Sequence, residues 1–188
     1  MLILCFLKYK DMEMIEKLEQ NKNLKICILS TYLWGLMAHA YMYFNSAFSI
    51  DHLNAYYADS TEEMCKIAGG RFLVPLFRIV RGKTALPWVI GIISLLVLSI
   101  VTYFIISLFK VKSTISIILI SGFLTTNLTV TATHATYMHE LDIDMYALLF
   151  ACLGIYVLVN NSGIKCIIIS AISLYISLYL NGAVSVLC

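Results

Sequence analysis

The stretch TALPWVIGIISLLVLSIVTYFIISLF, residues 84–109, contains no Asp, Glu, Lys or Arg. A helix needs about 20 mostly apolar residues to cross roughly 30 Å of hydrocarbon, so this stretch alone predicts a membrane-spanning helix. Four more stretches lack charged residues in the same way, at 26–50, 113–139, 145–164 and 166–188. The pattern therefore predicts an integral membrane protein.

Composition supports the same class of protein. Of the 188 residues, 61% are hydrophobic and only 13% are charged, whereas soluble domains carry about 25% charged residues. The chain lacks the polar residues that a water-exposed surface would need. Its net charge of +2 gives no basic surface for a nucleic acid, and its 2 Pro and 9 Gly argue against a collagen or a disordered chain.

We predict an all-α fold, a polytopic membrane helix bundle with interfacial helices in its first outer loop. About five transmembrane helices are expected, at 26–45, 86–109, 114–132, 145–160 and 166–182. Residues 1–25 are expected to form a mixed-charge cytoplasmic lead, and 26–188 the transmembrane domain. The lead is not a secretory signal, because no basic region precedes its apolar run and no small-residue cleavage site follows it.

The loop charges predict the orientation. With the N-terminus in the cytoplasm, eight lysines lie inside and five basic residues lie outside, which is a modest positive-inside bias. All seven acidic residues after residue 25 fall in two segments, 46–85 and 133–144. We therefore assign these two loops to the extracytoplasmic face. The five basic residues of the first loop are an anomaly under this assignment and need an explanation.

The first outer loop is long for a connector and contains two predicted helices. Ser60 and Glu63 have the spacing of a capping box, which predicts a helix that Gly69 and Gly70 end. An interfacial helix is then expected over residues 71–80. Its arginines have two possible roles, which are anchoring to lipid headgroups and binding a phosphate through charge-assisted hydrogen bonds. Gly70 would let the backbone approach an anion closely.

Asp51 is the candidate general base. It follows the first predicted span at the water boundary, in the sequence Ser49-Ile50-Asp51-His52. A carboxylate at such a boundary can take a proton from an alcohol. The alternative is an ordinary loop carboxylate or a helix cap.

The second outer loop combines two histidines with three acidic residues, namely His134, His139, Glu140, Asp142 and Asp144. Two interpretations remain open. One is a divalent cation, Mg²⁺ or Mn²⁺, that bridges carboxylates and a phosphate. The other is a solvated acidic turn whose carboxylates pair with the cationic first loop.

Several of these features together resemble one family. An Asp follows the first span (Asp51), a surface helix opens with Gly70-Arg71 and leads to Pro87-Trp88, and the segment Asp144–Tyr146 enters the fourth span. This arrangement is similar to the bacterial type II O-antigen (serotype-converting) glucosyltransferases of the GT-C superfamily. The resemblance covers roughly residues 24–188 and corresponds to an N-terminal part of these longer enzymes, so we expect a chain truncated at its C-terminus.

The resemblance implies a GT-C-like fold and a glycosyltransferase of the bacterial inner membrane. Such an enzyme moves a glucosyl residue from a polyprenyl-phosphate carrier to a surface polysaccharide such as O-antigen, on the extracytoplasmic face. The implied partners are the polyprenyl-phosphate-linked sugar, the polysaccharide acceptor, membrane lipid, a flippase and a carrier-charging glucosyltransferase, with no nucleic acid. No cofactor is certain, and a divalent cation (Mg or Mn) is possible by the argument above. The implied residues are Asp51 as the base and, for substrate or phosphate binding, Arg71, Arg78, His52, Gly70, Glu140 and Asp144.

Two other classes of function stay open from the sequence, a transporter or flippase component and a non-catalytic membrane subunit. Transporters usually carry ionisable residues inside their spans. Here the spans hold only His39, with His134 just beyond the third. We predict that His39 makes a contact between helices and is not part of a proton relay.

Overall fold

The chain folds into seven helices over the residues that the computed structural model describes, which are 2–45, 67, 69–81 and 86–181. In chain order the helices are α1 (Leu2–Phe44), α2 (Val74–Arg78), α3 (Pro87–Leu108), α4 (Thr114–Thr126), α5 (Leu128–Thr136), α6 (Leu141–Asn160) and α7 (Ile164–Asn181). A short 3-10 helix, Ile79–Arg81, continues α2. The predicted all-α membrane helix bundle is confirmed.

Two of the expected spans meet the requirement for crossing a membrane by themselves. Among the described residues, α3 and α6 are long and apolar enough, and α4 with α5 forms a third candidate bent by 43°. The apolar part of α7, Ile164–Leu180, is shorter than these. The expected first span is the second half of the long helix α1. The number of five spans therefore stays a prediction.

Several predicted boundaries differ from those in the structure. The expected lead and the expected first span lie on one helix, because α1 runs without a break from Leu2 to Phe44 and its first 33 residues contain no Gly or Pro. The segment 133–144 is mostly helical and leaves only residues 137–140 between α5 and α6. In the first loop, α2 begins at Val74 rather than Arg71, with Pro75 in its first turn.

The third span is broken at Asn127, in a way that the sequence did not predict. The Asn127 side chain caps α5, since its Oδ1 accepts from the Val130 N–H at 3.0 Å. The break also leaves the Thr125 carbonyl for His39, whose Nε2 donates to it at 3.0 Å. Backbone groups within a membrane must find partners inside the protein. His39 thus makes the helix contact that was predicted, and it stabilises the bend.

The bundle is held together by close helix contacts. Helix α6 packs against α3 and α7, and α1 packs against α3 and α4. Gly91 on α3 lies directly under the Tyr43 ring of α1, so that a Cβ at this position would come within 2.5 Å of Tyr43 Cδ1. Small residues permit such approaches between membrane helices. Across α6 and α7, the Ser170 hydroxyl donates to the Gly154 carbonyl at 2.7 Å.

Adding one methyl group at Gly91 tests the contact between α1 and α3. Gly91→Ala places a Cβ against the Tyr43 ring, and overpacking of this kind costs about 1–3 kcal/mol. We expect a lower free energy of unfolding in detergent micelles. Ala171→Val on the exposed face of α7 adds more bulk and should change stability little. An equal effect of the two substitutions would contradict the close contact.

Candidate functional site

Four charged side chains meet where the first loop reaches α6. In this Arg–Glu–Asp cluster (Arg71, Arg78, Glu140 and Asp144), Arg71 Nη1 lies 2.8 Å from Glu140 Oε2 and Arg78 Nη2 lies 2.9 Å from Glu140 Oε1. Each oxygen of the Glu140 carboxylate therefore contacts a different guanidinium group. Arg71 Nη2 also lies 3.6 Å from Asp144 Oδ1, which is longer than a hydrogen bond.

Local backbone geometry places Arg71 in this cluster. Gly70 adopts a φ of +79°, in the left-handed region that glycine reaches without strain, and its N–H donates to the Ile67 carbonyl at 3.0 Å. After this turn, Arg71 Nε donates to the Leu180 carbonyl of α7 at 2.9 Å. One guanidinium thus joins the first loop to both α6 and α7.

The two carboxylates are placed by the start of α6. Glu140 occupies the N-cap position, and Asp142 and Asp144 lie in the first turn. Negative charge at a helix N-terminus is favoured by the helix dipole. Arg78 reaches Glu140 from α2, which packs against α6. The expectation that the second-loop acids pair with the cationic first loop is confirmed for Glu140.

Burial divides the cluster into an inner pair and an outer pair. The side chains of Arg78 and Glu140 are 10% and 5% exposed, whereas those of Arg71 and Asp144 are 23% and 27% exposed. Burial of Arg78 and Glu140 contradicts both lipid-headgroup anchoring by Arg78 and a solvated turn at Glu140. The outer pair is the part of the cluster that a ligand can reach.

A cavity of about 370 Å³ lies between α5, α6 and α7, and Asp144 of the outer pair is one of its lining residues. We call it the Asp144 cavity. Its polar lining residues are Asp144, Thr129, Thr133 and Ser177, and Met145 and Leu148 are among its apolar ones. Small-molecule sites occupy about 300–1,000 Å³. A carboxylate and several hydroxyls suit a ligand with many hydroxyl groups, and the neighbouring guanidinium suits an anion.

Three buried residues, His39, Tyr43 and His134, form a polar cluster that the sequence did not predict. The Tyr43 hydroxyl donates to His134 Nε2 at 2.8 Å, and His134 Nδ1 donates to the Val130 carbonyl at 2.7 Å. These roles follow from the partners, because a carbonyl can only accept. The His39 and His134 rings stack with centroids 3.9 Å apart. The spacing of four residues between His39 and Tyr43 was a signal that both lie on one face of α1.

The donor set of the second loop does not favour a divalent cation. Among the described residues, no group of three or more His, Cys, Asp or Glu side chains could hold a metal ion. His134 is buried and bonded to Tyr43, and both Glu140 oxygens face guanidinium groups. A bound Mg²⁺ or Mn²⁺ stays a prediction, and no catalytic step below depends on one.

Two of the predicted site residues, Asp51 and His52, lie outside the described residues, as does the helix expected after Ser60. The structure brings together the other candidates, since Gly70 precedes Arg71 and both arginines contact Glu140.

A comparison with known families gives the activity at the level of the family. The profile described as glucosyl transferase GtrII matches residues 40–181. The chain belongs to this family. The match runs from the end of α1 to the end of α7 and contains the whole Arg–Glu–Asp cluster, so the resemblance noted from the sequence is confirmed. Membership implies a glucosyltransferase, which has a sugar donor and an acceptor. No curated protein and no solved structure matches the chain.

Removing the charge of Glu140 tests the central position of that carboxylate. Glu140→Gln leaves two guanidinium groups without their shared anion, and breaking a buried pair of this kind costs about 3 kcal/mol. We expect this loss in the free energy of unfolding in micelles. Asp144→Asn is the comparison, because the contact of Asp144 with Arg71 is longer and more exposed than those of Glu140 and should contribute less, about 1 kcal/mol. Equal losses would show that Glu140 is not the central residue of the cluster.

Proposed function

We propose that the protein transfers a glucosyl residue from a polyprenyl-phosphate carrier to a surface polysaccharide such as O-antigen. The reaction would occur on the extracytoplasmic face of the bacterial inner membrane. The observation that carries the proposal is the half-buried Arg71 guanidinium, which lies 3.6 Å from Asp144, a residue that lines the Asp144 cavity, at one end of a membrane helix bundle of the glucosyltransferase family. The family match favours this activity over a transporter or a non-catalytic subunit.

Arg71 is proposed to hold the phosphate of the carrier. Its Nη1 and Nε atoms are bonded to Glu140 and to the Leu180 carbonyl, which fixes the plane of the guanidinium. Its Nη2 atom lies beyond hydrogen-bond distance from Asp144. A phosphate oxygen placed there would accept a charge-assisted hydrogen bond. Arg78 is too buried for this role and instead holds Glu140, which in turn orients Arg71.

The Asp144 cavity is proposed to bind the sugar. A carboxylate and threonine or serine hydroxyls are the groups that accept and donate hydrogen bonds to sugar hydroxyls. They lie on three helices, α5, α6 and α7. With the sugar in this cavity, the carrier phosphate would lie at its edge, next to Arg71.

Asp51 is proposed to be the general base. It would take the proton of an acceptor hydroxyl, whose oxygen forms a bond to the anomeric carbon. The bond from that carbon to the phosphate oxygen breaks, and the carrier phosphate departs with the electron pair next to Arg71. The leaving group needs no strong acid, so one base and one cation suffice. Base and phosphate on opposite sides of the anomeric carbon predict inversion.

The end of α1 supports this placement of Asp51. Tyr43 packs in the same apolar cluster as Met138 and Leu141, which flank Glu140. Asp51 follows Phe44, the last residue of α1, by seven residues, and an extended chain spans at most about 3.3–3.6 Å per residue. Asp51 is therefore within reach of the bundle end that holds the Arg–Glu–Asp cluster.

Substitution of Asp51 tests the base. We expect Asp51→Asn to lower glucosyl transfer by about 10²–10⁴-fold, measured as transfer of labelled glucose from polyprenyl-phosphate glucose to polysaccharide in membranes. Membrane insertion and carrier binding should be unchanged. Asp59→Asn, which changes another acidic residue of the same loop, should keep transfer within about twofold of the wild type. Wild-type transfer by Asp51→Asn would refute the assignment.

Conservative substitution of the two arginines separates their roles. Lysine keeps the charge but loses the planar donor set that contacts phosphate, Glu140 and Leu180 together. We expect Arg71→Lys to lower kcat by about 10²-fold, in the range for loss of one transition-state donor. Arg78→Lys should mainly lower the unfolding temperature. The assignment fails if Arg78→Lys lowers kcat more than Arg71→Lys in folded protein.

A further inference from the structure

A second cavity lies at the end of the bundle opposite the Arg–Glu–Asp cluster. It has a volume of about 470 Å³ and lies between α1, the turn after α3 and the end of α6. We call it the Lys110 cavity. Its polar lining residues are Gln20, Asn23, Ser107, Lys110, Lys112, Tyr156 and Asn160.

The length of α6 separates the two cavities. Helix α6 has Glu140 at one end and Asn160 at the other. Its 20 residues span about 30 Å at 1.5 Å each, which is about the hydrocarbon thickness of a bilayer.

We propose that the Lys110 cavity binds the phosphate headgroup of an anionic phospholipid. Two lysines contribute to its lining, and no acidic residue lines it among the residues whose side chains the structure describes, which are 20–45, 67, 69–80 and 86–180. The amides of Gln20, Asn23 and Asn160 and the Tyr156 hydroxyl add hydrogen-bond donors. Lysine binds phosphate as a point charge, and basic pockets between membrane helices bind anionic headgroups.

The backbone at Lys110 provides independent support. Lys110 has a φ of +52°, the only positive φ at a residue other than glycine among the described residues. It ends α3 in a Schellman motif, with the Lys110 N–H donating to the Ser107 carbonyl at 3.2 Å and the Val111 N–H donating to the Ile106 carbonyl at 3.0 Å. Glycine is the usual residue at this position because it adopts positive φ without strain. A strained position points to a role for the side chain it carries.

The surroundings of the cavity favour a lipid over a free anion. Phe109 and Ile115, on either side of the two lysines in the chain, are 77% and 72% exposed, and Ile106 and Val111 line part of the cavity. A phosphate at the lysines would therefore lie beside apolar surface that acyl chains can cover. The C-terminus of α3 lies at this end and carries the negative end of the helix dipole, which disfavours an anion. The Schellman hydrogen bonds reduce this effect because they occupy two of the last carbonyls of α3.

The test is lipid binding by the purified protein in detergent, measured by native mass spectrometry. Phosphatidylglycerol and phosphatidylcholine with the same acyl chains are titrated separately. We expect preferential binding of phosphatidylglycerol, weakened about thirtyfold in the double variant Lys110→Gly, Lys112→Gln, on the basis of roughly fivefold for each lysine near a headgroup. Lys110→Gly relieves the strained φ, so the double variant should unfold at or above the wild-type temperature.

Lys165→Gln is the matched control, since it removes an exposed lysine from the same end of the bundle that does not line the cavity. It should keep phosphatidylglycerol binding within about twofold. An equal loss in this control, or equal binding of phosphatidylcholine by the wild type, would overturn the proposal. Displacement of phosphatidylglycerol by millimolar inorganic phosphate would instead identify a free-phosphate site and overturn the lipid assignment. Glucosyl transfer depends on the other end of the bundle, so this test is independent of the proposed catalysis.

Discussion

The bidentate position of Glu140 between two guanidinium groups is the interaction on which the candidate site depends. A buried carboxylate is stable only when its charge and lone pairs are matched, and here each oxygen faces one arginine. The arginines precede Glu140 in the chain by 69 and 62 residues. The carboxylate therefore fixes the first loop against α6 and, through Arg71 and the Leu180 carbonyl, against α7. The position of Arg71 relative to the Asp144 cavity follows from this geometry.

The Asp144 cavity also depends on the break in the third span. Because α5 turns away from α4 by 43°, Thr129 and Thr133 reach the space beside Asp144. The bend frees backbone groups that water cannot satisfy within a membrane. Asn127 and His39 supply their partners. The Tyr43–His134 hydrogen bond holds α1 to α5. These polar residues of the bundle thus have structural partners.

Hydropathy could predict the helices but not the cluster. The charge-free stretches placed α3 and α6 to within a few residues, because length and apolarity are local properties of the chain. The sequence predicts the bend less well. An Asn within an apolar stretch can either cap a helix or end a span, and the local pattern does not distinguish the two. Burial of Glu140 and Arg78 depends on contacts between distant segments, which no local pattern contains. The shared face of His39 and Tyr43 was predictable from their spacing, but their partners were not.

Two of the five basic residues of the first outer loop are explained by their partners. The predicted orientation left five of them on the extracytoplasmic side, against the tendency of lysine and arginine to remain in the cytoplasm. Two of the five, Arg71 and Arg78, contact carboxylates of the second loop. At the other end, Lys110 and Lys112 line a cavity that has no acidic residue in its lining among the side chains described, 20–45 and 86–180 included. Arginine suits the first setting because its planar donors can contact two carboxylates and a carbonyl together. Lysine suits the headgroup phosphate that we propose for the second setting, because it binds a phosphate as a point charge. The ion pairs of the Arg–Glu–Asp cluster thus use arginine, whereas the Lys110 cavity offers lysine to the phosphate that we propose for it.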